Sequence, residues 1–144
     1  MKKLLTFTVL YLGFSNSVFA ICSDIEKLRD SVYNGFPNNR GSLVYGSTFA
    51  SLYILPNADE CDIDFYSDDG ASSYQCTWRD YSKSDAESIA KSLSSCNLIS
   101  RRIEVSTHKD ATYWESYLND DIRVEVIYFD SFESVHFSIY YVPD

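Results

Sequence analysis

Basic residues are scarce in this 144-residue chain, with 12 Lys and Arg against 21 Asp and Glu and a net charge of -9. That balance argues against nucleic acid and anionic membrane surfaces, which attract basic patches. Histidine is scarcer still: only His108 and His136 occur, far apart and without the His-Glu-x-x-His spacing of a zinc hydrolase. Glycine is too sparse, at five residues, for a phosphate-cradling loop after a strand. No Cys-x-x-Cys pair is present, which removes the usual redox and structural-zinc motifs. Repeats and low-complexity tracts are also missing.

Only one stretch is continuously apolar, residues 4–14, and it is short of the about 20 residues that an anchor helix needs. It follows Met1-Lys2-Lys3 and precedes a more polar segment ending Val18-Phe19-Ala20, the order of a bacterial secretory signal peptide. Cleavage is expected after Ala20. A lipoprotein site at Cys22 is disfavoured by the bulky Ile21 before it. The expected organisation is therefore a leader at 1–20 and one domain at 21–144, in a periplasm or secreted to the medium, with no stable membrane insertion after cleavage. Loss of Lys2 and Lys3 leaves ten basic residues against 21 acids and moves the net charge to -11.

All four cysteines, Cys22, Cys61, Cys76 and Cys96, lie beyond the cut, and an even number in an exported chain of this size predicts two disulfides. Three pairings are open. Packing favours Cys76 with Cys96, because both fall on expected buried faces of a strand-to-helix unit, and leaves Cys22 with Cys61.

Alternation and capping signals supply the elements. Ser23 and Glu26 form a capping box for a helix whose stripe is Ile25, Leu28 and Val32, ended by Asn34-Gly35 and Pro37. Residues 43–55 read as a strand, with Gly46 a bend that can split it. Cys61, Ile63 and Phe65 alternate with Asp62 and Asp64, and Tyr74, Cys76 and Trp78 with Gln75, Thr77 and Arg79, across a turn at residues 67–70. A second capping box, Ser84 to Glu87, opens a helix lined by Ala86, Ile89, Ala90, Leu93 and Cys96. Residues 101–107 read as a short strand and 108–120 as a loop carrying a helical turn. Residues 122–128 and 135–141 form a closing hairpin. The expected fold is α+β, a mostly antiparallel sheet of five or six strands packed on two helices, with two disulfides.

Chemistry is harder to place. Asp62, Asp64, Asp68 and Asp69 suggest a calcium loop, but Tyr66 and Ser67 interrupt it and Ser73 stands where the distal Glu belongs. They are better read as the wet face of a strand and a turn. A serine–histidine–aspartate set around His136 lacks any local signature. Asp80 near Trp78 and Glu115 beside Trp114 are the mild candidates for a glycosidase pair. No catalytic residue, metal or cofactor is assigned. Aromatics make up 16% of the chain, with twelve tyrosines. Ordinary sheet packing absorbs many of them, yet Tyr113, Trp114, Tyr117 and Tyr140 are expected to be exposed. With Asp62 and Asp64 they form a candidate surface for a basic protein, carboxylates steering encounter and rigid rings anchoring it.

The run Tyr74-x-Cys76-x-Trp78, followed by Asp85-Ala86-x-x-x-Ala90-x-x-Leu93-x-x-Cys96-x-Leu98 and the closing hairpin, resembles a pattern in small exported bacterial proteins of unclear role. It covers about half of the residues after Ala20, carries no catalytic residue, and is similar to periplasmic immunity and lysozyme-inhibitor proteins. Such proteins protect a cell by plugging a toxin's active site, so the resemblance implies inhibition or immunity towards a basic enzyme or toxin. A small polysaccharide or peptidoglycan hydrolase and an envelope-assembly accessory protein are the alternatives.

Overall fold

The computed structural model describes residues 16–65 and 72–142. Residues 1–15 of the expected leader and the expected turn at 67–70 lie outside them. Helix α1 spans Asn16–Val32 and α2 spans Lys83–Ser94. The strands are β1 (Arg40–Tyr45), β2 (Thr48–Ser51), β3 (Glu60–Phe65), β4 (Ser72–Arg79), β5 (Glu104–His108), β6 (Ala111–Tyr117), β7 (Ile122–Phe129) and β8 (Ser134–Tyr141). All pair antiparallel in one sheet, ordered β1-β2-β3-β4-β8-β7-β6-β5.

The sheet therefore has eight strands, not the five or six expected. Residues 43–55 divide into the β1–β2 hairpin, whose turn places Gly46 at φ +53°, a conformation open to glycine without strain. Residues 111–117, expected as a loop with a helical turn, form β6. Its inward side carries Thr112, Trp114 and Ser116 while its outward side carries Tyr113, Glu115 and Tyr117, so apolar and polar residues never alternate cleanly along it.

Among the described residues, the helices cover one face of the sheet and leave the other open. Helix α1 packs on α2, β4 and β8, and α2 on β7 and β8. Ile25, Leu28 and Val32 of α1 and Ala86, Ala90 and Leu93 of α2 meet Ile63, Tyr74, Trp78, Val124, Phe137 and Ile139 in one core. Each fully buried large side chain contributes about 2 kcal/mol. The predicted inward residues of β3, β4, β7 and β8 are found there or, for Tyr141, packed against it, except Phe65, which is half-buried at the end of β3 beside Gly35 and Arg40.

The helix starts differ from expectation. Helix α1 begins at Asn16, so Ser23 lies inside it instead of capping it, and the helix runs through Ala20–Ile21. Helix α2 is capped by Ser82 with Asp85 at the third position, two residues before the expected box. The Asp85 carboxyl sits below its usual range because the Ser82 side chain and backbone donate to it. At the end of α1, Gly35 has φ +69°, and a Cβ there would meet the Phe65 ring at 2.7 Å. Ser72 Oγ donates to the Val32 carbonyl at 3.0 Å, tying that end to β4.

The disulfides also correct the expectation. Cys22 bonds Cys96 and Cys61 bonds Cys76. Cys61 and Cys76 are directly opposite each other in the β3–β4 ladder, so the hairpin register itself dictates that bridge. Cys96 follows the C-terminal end of α2 and reaches Cys22 in α1, joining the two helices rather than a helix to its preceding strand. Among the described residues no helix is long and apolar enough to cross a membrane.

Candidate functional site: the uncovered face of the sheet

The outward side chains line up in rows across the strands, because residues paired in a ladder point to the same face. The first row is Thr48, Asp64, Ser73, Tyr140, Arg123 and Tyr117, crossing from β2 to β6. The second is Ala50, Asp62, Gln75, Ser138, Glu125, Glu115 and Glu104, crossing from β2 to β5. The third runs Glu60, Thr77, His136, Ile127, Tyr113 and Ser106. Five of the six predicted surface residues, Asp62, Asp64, Tyr113, Tyr117 and Tyr140, thus share one face and fall within these three rows. Trp114 does not. It points the other way and is buried under the helices at 8% exposure, so its assignment to the surface is corrected.

The second row places Glu125, Glu115 and Glu104 on three adjacent strands, each opposite the next. Like charges in such positions repel. Arg123 from the first row relieves part of this: its Nη2 is 2.8 Å from Glu125 Oε1 and also meets the Glu115 carboxylate. Burial alone would lower the Arg123 pKa, but Glu125, Tyr140 and Glu115 together raise it. Tyr140 Oη donates to Glu125 Oε1 at 2.7 Å, and burial followed by that carboxylate pushes its hydroxyl well above the ordinary tyrosine value. The buried Arg123 Nε finds no acceptor. Beside this network Ser73, Gln75, Glu125, Ser138 and Tyr140 line a shallow cavity of about 330 Å³.

On the other half of the face, Asp64 accepts from Thr48 Oγ1 at 2.5 Å and from Gln75 Nε2 at 2.8 Å. Among the described residues Asp62 has no such donor set, and burial, then Glu60 and Asp64, raise its carboxyl above the usual range. Its anionic form is thus held at a cost that an incoming cation offsets.

Among the described residues the candidate catalytic side chains are not brought together. His136 has Thr77 Oγ1 at 3.3 Å from Nδ1 and Ser134 Oγ at 3.3 Å from Nε2, so among the described residues no carboxylate orients the ring as a hydrolytic triad requires. Burial first, and Arg79 in addition, lower its pKa against the opposing pull of Glu60. Asp80 follows the end of β4, whereas Glu115 lies three strands away in β6 and is engaged by Arg123. His108 sits in the edge strand β5, edge-on to Tyr113. Asp68 and Asp69 lie outside the described residues. Among the described residues no three His, Cys, Asp or Glu side chains are grouped to hold a metal ion. A second cavity, about 370 Å³, opens beside α2 and is walled by Leu55, Trp78, Tyr81 and Ile89. Its single charged group, Asp85, is committed to capping α2.

Arg123, Glu125, Gln75 and Ser138 were not singled out from sequence. Alternation in residues 122–128 puts Arg123 and Glu125 on the outward side, but their meeting with Glu115 and Tyr140 depends on cross-strand register. No protein-family model, curated protein or solved structure matches this chain.

Proposed function

We propose that the chain is an exported binding protein, periplasmic or secreted, whose uncovered sheet face takes a basic protein, and that it inhibits or confers immunity to a basic enzyme or toxin. The observation that carries this reading is the concentration of charge of one sign on that face. At the outward positions of its strands stand six acids, Glu60, Asp62, Asp64, Glu104, Glu115 and Glu125, against two arginines, Arg79 and Arg123. Tyr113, Tyr117 and Tyr140 stand among them as half-buried rings with polar tips. Carboxylates at the periphery accelerate encounter with a basic surface, and rings of this kind supply contact area at low entropic cost. The resemblance to immunity and lysozyme-inhibitor proteins points the same way.

The test is capture of partners from envelope and culture fractions at low and high salt, run beside an Asp62→Lys variant. A single stoichiometric basic partner is expected, released by salt and bound at least about tenfold more weakly by the variant. Turnover of cell-wall fragments with no partner captured would instead favour a hydrolase and overturn the proposal.

A further inference from the structure

The two edges of the sheet differ in kind. β5 is bordered by Arg101, Arg102, Lys109 and Asp110 and contains Glu104, the charges that keep an edge strand from pairing with another chain. β1 has a charge only at its first residue, Arg40, which lies over the Phe49 and Phe65 rings; from residue 41 to residue 58, 18 consecutive positions, the chain carries no charged side chain. Leu43, Val44 and Tyr45 of β1 are exposed at 59%, 62% and 83%, and Leu52 and Ile54 beside them at 71% and 48%. Leu52 lies against Gly41, its Cδ2 3.2 Å from where a Cβ would stand, and so extends the apolar strip along β1.

We propose that β1 is a homodimer edge, pairing antiparallel with β1 of a second copy about a two-fold axis at Val44. Charge selects this occupant. At a net -9 the chain repels its own copy over most of its surface, and this neutral strip is where two copies approach without like charges meeting. An antiparallel pairing is self-complementary, setting Leu43 against Tyr45 of the second copy and Val44 against Val44. Register shifts in the β1–β2 ladder between Arg40 and Leu43 and between Leu43 and Tyr45 bend the strand and keep the pairing short. The exposed parts of the five side chains amount to roughly 500 Å² per protomer, below the about 800 Å² per partner of a standard interface. The dimer is accordingly weak, with a Kd of roughly tens to hundreds of micromolar. The two-fold axis runs perpendicular to the sheet, so both uncovered faces look the same way and a dimer presents two acidic surfaces side by side.

Sedimentation of the purified protein from about 5 to about 500 µM tests this range. A monomer–dimer equilibrium is expected that tightens with added salt, opposite in sign to capture of a basic partner. Val44→Lys weakens it at least tenfold, and Val105→Lys on the opposite edge leaves it unchanged. Val44→Cys cross-links two copies under mild oxidation, whereas Val105→Cys does not. A monomer throughout, a dimer indifferent to Val44→Lys, or equal cross-linking from both edges overturns the proposal; so does β1-dependent binding to neutral lipid vesicles by a protein that stays monomeric.

Discussion

Replacing Arg123 by Met removes the guanidinium and keeps most of the stem, leaving Glu104, Glu115 and Glu125 opposed on three strands with no cation between them. The exposures of the three paired side chains are 26% for Arg123, 29% for Glu115 and 12% for Glu125, so this pair of bridges is neither fully wet nor fully dry. A wet pair is worth at most about 1 kcal/mol, whereas stranding one member of a dry pair costs about 3–5 kcal/mol. Glu125 is the more buried carboxylate and sets the larger part of the loss. Removing the unpartnered Arg123 Nε returns about 1 kcal/mol. The net expectation is a loss of about 2 kcal/mol, read as a lower midpoint in urea at constant slope. Adding Glu125→Gln should restore about 1 kcal/mol of it, because the amide still accepts from Tyr140 and no longer repels Glu115. About 1 M salt should shrink the deficit of the single variant. A loss under about 0.5 kcal/mol with no recovery in the double variant would refute the idea that Arg123 holds the acidic row together.

The two disulfides should differ in worth. Cys22–Cys96 spans 74 residues and Cys61–Cys76 spans 15, so loop-closure entropy assigns about 4.5 and about 3 kcal/mol. Urea denaturation of the paired Cys→Ala variants should show the helix-to-helix bridge costing more, and non-reducing peptide mapping should join Cys22 to Cys96; an equal or reversed order would place the stabilisation outside chain entropy. His136, whose pKa is held below the ordinary 6.5 chiefly by burial, favours its neutral form in the folded state. Its contribution is present above pH 6.5 and lost as pH falls through the depressed value, so the melting temperature should drop on acidification and His136→Gln should flatten that part of the profile.

Much of this fold was legible wherever one face of an element is apolar. The inward residues of β3, β4, β7 and β8 follow from alternation, and those of α2 from helical spacing even though its cap sits two residues earlier, at Ser82. β6 was not legible, because its inward Thr112 and Ser116 and its outward Tyr113 and Tyr117 erase the contrast that alternation needs. The bridges were misassigned for a related reason. Burial of Cys76 and Cys96 is compatible with their pairing, but only the β3–β4 register shows that Cys61 lies opposite Cys76. Asp62, Asp64, Tyr113, Tyr117 and Tyr140 lie on one face because each falls at an outward position of an alternating strand. Trp114 failed for the same reason as β6, since its strand was not recognised.

An eight-stranded sheet with helices on one side must leave its other face polar, so acidity there follows in part from solubility alone. A face shaped only by solvation has no reason to oppose carboxylates on three neighbouring strands, because alternating signs would solubilise it equally and stabilise the ladder. Here the sequence sets Glu104, Glu115 and Glu125 in one row and supplies Arg123 for only two of them. Asp62 stands between Glu60 and Asp64 on the same strand, with its carboxyl raised by burial and by both neighbours. Each arrangement weakens the isolated fold, and each is relieved by a cation arriving from outside. The bare edge at β1 shows the complementary choice, a neutral strip where repulsion between copies is least. Under the two proposals, charge on the sheet separates two kinds of contact: a basic partner would gain most on the uncovered face, and a second copy would gain most at the edge.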